Sequence, residues 1–265
     1  MEHRLVIVEG LPCSGKSTTS RFVSEVLSES RRVVFADEGS GDHPADYEFS
    51  AYLSAEELCG FSAEQQALIT AHAQQSCGGV VVPLSKFTGE LFDRLLEHKI
   101  YDMLPWEQER PVMLDKWRSF CDGADKDAVY VFNCVLLQNP MCETMMRFGF
   151  SQQQSFQYIS EIAEMTEPLS PLVIYLRTAD IAAAVKKAAA EREGWLDAVI
   201  DYHVSGAYGR SVGAVGFDGY IACLEERQRR ELAILSQLSV RSVVLDDPSA
   251  DWDGAYKRLR DLICL

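Results

Sequence analysis

Positive charge is scarce in this chain: 25 Lys and Arg stand against 40 Asp and Glu, a formal net charge of −15. That balance argues against a broad surface for nucleic acid or anionic membrane, and leaves room only for a local basic site. Metal-binding spacing is missing as well. There are five histidines and no H-x-x-H, and the eight cysteines (Cys13, Cys59, Cys77, Cys121, Cys134, Cys142, Cys223 and Cys264) form no C-x-x-C. They read as free thiols of a reducing compartment. No stretch approaches the ~18 uninterrupted apolar residues of a membrane span, and the first apolar run is too short for a signal peptide. A soluble, cytoplasmic protein with no membrane partner is expected. Repeats and low-complexity linkers are absent too. At 265 residues, one α/β domain over 1–265 is favoured over two.

What is present concentrates near the N-terminus. The apolar run Leu5-Val6-Ile7-Val8 leads into Gly10-Leu11-Pro12-Cys13-Ser14-Gly15-Lys16-Ser17, which fits G-x-x-x-x-G-K-[ST]. Strand, phosphate loop and helix follow in that order, and only this context gives the motif its meaning. Gly10 and Gly15 permit a concave backbone whose N–H groups converge on a triphosphate. Pro12, Cys13, Ser14 and Thr18 complete the nucleotide-binding set. Lys16 reaches the β/γ-phosphates and the Ser17 hydroxyl joins a Mg²⁺ shell, so ATP and Mg²⁺ are the expected cofactors. Cys13 is oxidisable by its position, which does not make it catalytic. A helix over 16–30 follows, with Phe22, Val23, Val26 and Leu27 as its buried stripe.

Arg32–Ala36 is the second strand, running out at Asp37 and Glu38, two carboxylates at a strand's carboxyl end where open parallel sheets bind ligands. A polar loop follows. From about 50 to 126 the pattern is helical, with Ser54-x-x-Glu57 and Ser62-x-x-Gln65 as capping boxes. Val80–Leu84 is apolar, but Pro83 demotes it to an edge strand or extended link. Ala128–Phe132 is the third core strand, and it ends in Asn133, which cannot be an anionic metal ligand. A Met-rich helical stretch follows, then a helix capped at Ser151. Leu172–Leu176 is the fourth strand, 181–192 an Ala-rich helix, 225–238 an amphipathic helix, 240–245 the fifth strand and 251–265 a closing helix. Between them, 205–219 holds five glycines and reads as a mobile flap or a surface loop.

A GTPase would carry N-K-x-D or T-K-x-D after a late strand, and neither occurs. The order of elements resembles the nucleoside and nucleotide kinase branch, including thymidylate-kinase-like enzymes and phosphate-loop antibiotic phosphotransferases. The stretches Glu38–Glu48 (E-G…H-P-A-D-Y-E) and Leu137–Pro140 (L-Q-N-P) are also similar to an uncharacterised bacterial phosphate-loop family. The E-R-S-like and D-R-like signatures of deoxynucleoside kinases are absent. The resemblance implies the P-loop NTPase fold: a five-stranded parallel sheet in order 2-3-1-4-5 with helices on both faces, a helical substrate-binding insertion at about 40–127, and a basic lid within about 180–220. It also implies that Glu38 takes the place of the catalytic base, with Asp37 as the alternative.

Phosphoryl transfer asks a protein for positioned phosphates, a metal and an oriented nucleophile. Asp42, His43, Asp46 and Tyr47 are candidates to read substrate hydroxyls or amines, an acidic and aromatic set that suits a polar or cationic ligand; the same residues are ordinary in turns. Gln138 and Asn139 offer donors and acceptors, or cap a helix before Pro140. Lys186, Lys187, Arg192 and Arg210 are the lid cations. Arg192 and Arg210 are preferred because a guanidinium grips phosphate bidentately. Met141, Met145, Met146 and Phe148 read as core or pocket wall. The expected activity is ATP-dependent phosphorylation of a hydroxyl on a small polar molecule, without nucleic acid, with a homodimer left open. The alternatives are a nucleoside or nucleotide kinase, which needs Phe49, Tyr52 or Trp117 in the acceptor pocket, and an ATP-binding switch or toxin-system component acting through a protein.

Overall fold

The computed structural model describes residues 3–39, 41–192 and 194–263. In chain order the elements are β1 (Leu5–Gly10), α1 (Lys16–Ser28), β2 (Arg32–Ala36), β3 (Ser50–Ser54), α2 (Ala55–Cys59), α3 (Ala63–His72), β4 (Gln74–Ser76), β5 (Gly79–Pro83), α4 (Gly89–Leu96), α5 (Ile100–Met103) and α6 (Trp106–Gly123). The chain continues through β6 (Ala128–Asn133), α7 (Gln138–Met141), a π-helical segment Cys142–Arg147, α8 (Gln152–Thr166), β7 (Leu172–Arg177), α9 (Ile181–Glu191), α10 (Trp195–Ser205), α11 (Ala207–Ser211), α12 (Gly216–Leu235), β8 (Arg241–Asp246) and α13 (Trp252–Ile263). Cys264 lies outside the described residues. Two compact units result: residues 1–37 with 125–265, and residues 38–124.

The first unit is built on a five-stranded sheet in order β2-β6-β1-β7-β8, all parallel. Counted among its own strands, that is the expected 2-3-1-4-5. Parallel strands covered on both faces must be apolar throughout, and β1 and β6 are buried at every position. Their alternating side chains divide between the two faces. Val6 and Val8 join Val131, Ile174 and Leu176 in a core closed by Val23 and Leu27 of α1 and Leu259 of α13. Each such aliphatic contributes ~1.5–3 kcal/mol by leaving water. From the other face, Tyr175 reaches Glu231 on α12.

The second unit corrects the largely helical expectation for 50–126. Its capping boxes form as read, at Ser54 on α2 and Ser62 on α3. Beside the helices lies a three-stranded antiparallel sheet, β3-β5-β4. Pro83 does not make β5 an edge strand: β5 is central, and the proline closes it opposite Ser50, where the ladder ends. The polar, three-residue β4 has no periodic signal. It is fixed by a two-residue turn in which Cys77 (φ 49°) and Gly78 (φ 79°) are both left-handed, the hairpin geometry that matches strand twist. Ala51, Leu53, Ile69, Val80, Val82 and Leu95 give this unit a core of its own.

Most of the glycine-rich stretch 205–219 is helical, with breaks at 206 and 212–215. It spans the end of α10, α11 and the start of α12. A Cβ at Gly206 would come within 2.4 Å of the Met146 carbonyl, and one at Gly209 within 2.4 Å of that of His203. These glycines permit close packing of short helices, a constraint that composition cannot separate from flexibility.

Candidate active site

The phosphate loop joins β1 to α1. Gly10 (φ 145°) passes so close to β7 that a Cβ would sit 2.6 Å from the Leu176 carbonyl. Gly15 (φ 93°) caps α1, and a Cβ there would meet the Trp252 ring at 2.4 Å. Cys13 is left-handed too (φ 69°). Glycine is required at both ends, first by approach and second by conformation and the ring. No acid occupies the first turn of α1 and no side chain caps it, so its amides and the positive end of its dipole stay available to an anion. Lys16 is buried, its Nζ donating to the Leu11 carbonyl at 2.8 Å. Ser17 and Thr18 are exposed on the first turn.

The two candidate bases part company. Asp37 is held at the end of β2, where its Oδ1 accepts from Asn133 Nδ2 at 2.5 Å and its Oδ2 lies 3.5 Å from Arg21 of α1. Asn133 also approaches Ser20 on α1 at 3.5 Å. Asn133, which brings no anionic ligand, therefore orients the carboxylate beside the loop's helix. Glu38 is exposed and begins the second unit.

Beneath the loop lies a network with no counterpart in the sequence reading. Glu9, immediately before Gly10, is buried, its two oxygens accepting from the backbone N–H groups of Leu136, Leu137 and Gln138 at 2.7, 3.0 and 3.1 Å. It thereby staples the phosphate-loop strand to the turn after β6. Burial, opposed by those N–H donors and reinforced by the charge of Glu231, raises its pKa to about 7. Tyr175 donates to Glu231 at 2.6 Å, and Glu231 pairs with Arg227 at 3.1 Å, all three buried.

Of the lid cations, Arg192 lies near the loop: its charge acts on the Cys13 thiol, lowering a pKa that burial raises more. Arg210 sits on α11 and donates to the Ser205 carbonyl. Lys186 lies over the Phe217 ring at 5.3 Å, and Lys187 is exposed. Gln138 is buried in α7, while Asn139 bonds through its backbone to Cys134. Neither caps a helix; α7 has no side-chain cap. Met141, Met145 and Met146 are core.

Within the second unit, Asp42, His43, Asp46 and Tyr47 are brought together. They line a cleft of about 390 Å³ with Ser50, Gln74, Lys86 and Lys116. Asp46 accepts on Oδ1 from the Tyr47 N–H at 2.8 Å and from the Tyr101 hydroxyl at 2.5 Å. His43 Nδ1 accepts from the Ala45 N–H. Burial, then the nearby Lys116 charge, push the His43 pKa down to about 3, so it is neutral. Burial, then the Asp115 charge, push the Tyr47 phenol up to about 12.

No protein-family model and no curated protein matches the chain. Among solved structures it is similar to the YorR protein of Bacillus subtilis in complex with phosphorylated GDP. Identity there is 12%, the match covers 98% of this chain and 95% of that one, and the TM-score is 0.40. It is also similar to an unliganded sugar kinase from Janibacter sp. HTCC2649, at 13% identity, 98% and 91% coverage and a TM-score of 0.34.

Sequence reasoning missed Glu9, because a glutamate inside an apolar strand looks like a blemish until its three N–H donors are seen. Lys86 and Lys116 were missed because 30 and more residues separate them from Asp42–Tyr47. Trp252 against Gly15 is visible only in three dimensions.

Proposed function

We propose that the protein is a phosphotransferase that moves the γ-phosphoryl group of ATP to a hydroxyl of a small polar acceptor. The observation that carries this reading is the loop itself: glycines at both ends required by close approach and positive φ, an uncapped helix N-terminus and a buried lysine, all at the carboxyl edge of a parallel sheet in order 2-3-1-4-5. Backbone N–H groups and Lys16 would hold the β- and γ-phosphates, and Arg192 would share the charge that spreads over the transferred oxygens. The Ser17 hydroxyl, a hard oxygen donor on the first turn of α1, would hold Mg²⁺ when the nucleotide is bound, and that ion would neutralise phosphate charge. Asp37, positioned by Asn133, is the better-supported general base; Glu38 is the alternative. The acceptor falls to the second unit, whose cleft is lined by Asp42, His43, Asp46 and Tyr47.

A nucleoside acceptor has less support. Trp117 is 1% exposed and Tyr52 6%, both spent in the core, and Phe49, though exposed, does not line the cleft. No observation favours the protein-partner switch over the enzyme.

The test is an ATP-consumption screen over nucleosides, aminoglycosides, sugars, amino alcohols and their phosphorylated or carboxylated relatives, with mass spectrometry of the product. Lys16→Ala should lower turnover by at least ~10³-fold in a folded protein. Asp37→Asn should lower transfer by ~10²-fold while nucleotide still binds. Wild-type turnover in Lys16→Ala would end the phosphotransferase reading; loss in Glu38→Gln with Asp37→Asn spared would exchange the two carboxylates.

A further inference from the structure

The cleft of the second unit reverses what its sequence signature implies about the ligand. Two acids and a tyrosine, Asp42, Asp46 and Tyr47, describe a seat for a cation. In the folded protein that seat is taken. Lys116, from α6, places its Nζ 4.5 Å from the centre of the Tyr47 ring, where a ligand cation would otherwise lie. Asp46 Oδ1 already accepts two hydrogen bonds.

Lys116 itself is half-buried and makes no hydrogen bond or ion pair among the described residues, the nearest carboxylates being beyond salt-bridge distance. Desolvating an ammonium without a paired carboxylate is costly, and the ring face returns only part of that cost. Burial lowers the Lys116 pKa, while Asp46 and Asp42 partly restore it. Lys86, likewise without an ion pair among the described residues, lines the same cleft from the turn after β5. His43 stays neutral and adds no third charge. The cleft thus presents two ammoniums without an ion pair among the described residues, Lys116 half-buried and Lys86 exposed, beside the exposed Asp42 carboxylate and neutral donors on Ser50 and Gln74.

We infer that this cleft binds an anionic hydroxy-compound, its phosphomonoester or carboxylate group seated on Lys116 and Lys86. The acceptor role of that compound rests on the phosphotransferase reading above. The anion seat itself belongs to the second unit and is tested without ATP turnover.

The experiment is limited acetylation of the full chain with acetic anhydride, with the rate at each lysine followed by peptide mass spectrometry. Inorganic phosphate, acetate and tetramethylammonium are added in turn at equal ionic strength. Lys257, exposed on α13, is the internal reference. At a phosphate concentration near twice its Kd, occupancy slows the Lys116 reaction about threefold while Lys257 is unchanged. Protection by phosphate assigns the phosphomonoester, and protection by acetate in its place assigns the carboxylate. Protection by neither, or by tetramethylammonium as strongly, overturns the inference. The same protection must persist in Lys16→Ala. If it does and no acceptor is phosphorylated by the wild type, the phosphotransferase reading fails while the anion site stands; loss of protection alone leaves the phosphate loop untouched.

Discussion

Glu9→Gln probes the joint between the phosphate-loop strand and the rest of the sheet edge. Burial and the Glu231 charge raise the Glu9 pKa from 4.5 to about 7, against the pull of three backbone N–H groups. Between those values the folded protein keeps a proton that the unfolded chain releases. The stability this group contributes is therefore fully present below pH 4.5 and lost as pH rises through 7. Two and a half units at 1.36 kcal/mol each make about 3 kcal/mol, most of it falling between pH 5 and 8. His43 and His203 act in the opposite direction: burial lowers their pKa values to about 3 and about 4, so their contribution is present above pH 6.5 and lost on acidification. The wild-type curve is thus a sum of opposing slopes, and the difference between wild type and Glu9→Gln isolates one of them. Glutamine keeps the oxygen that accepts from Leu136 and Leu137 but turns an amide toward the Gln138 N–H. That adds a pH-independent loss of ~1–3 kcal/mol. Urea denaturation of both proteins at pH 5, 6, 7 and 8 should show the gap narrowing by about 3 kcal/mol as pH rises. A gap that stays constant across this range would refute the assignment of a proton to Glu9.

Gly15→Ala should abolish nucleotide binding measured by calorimetry and lower stability by at least ~1–3 kcal/mol, since the residue needs φ 93° and its Cβ meets Trp252 at 2.4 Å; adding Trp252→Ala should relieve the clash and leave the backbone strain, so full recovery would show that the ring alone dictates glycine. Gly209→Ala should cost ~1–3 kcal/mol by overpacking against the His203 and Val204 carbonyls, and amides over 205–219 should exchange slowly with or without ligand; fast exchange that slows only on binding ATP would support a flap instead.

Part of this protein was legible without coordinates. The apolar runs of β1, β6 and β7, the G-x-x-x-x-G-K-S loop and the capping residues Ser54, Ser62 and Ser151 are local signals, each complete within about ten residues. The strand order came with the resemblance and agrees with the observed pairing. Tertiary structure decided what depends on distant neighbours. Whether Gly206 and Gly209 hinge or pack is set by which carbonyls lie 2.4 Å from the place a Cβ would take at each. Whether Asp37 or Glu38 is held beside α1 is set by Asn133, almost a hundred residues away. Whether the face of the Tyr47 ring is open or covered is set by Lys116, which lies over it. A charge is read from the sequence at its own position, but its effect depends on the inverse distance to other charges and on the water between them, and only the fold fixes both.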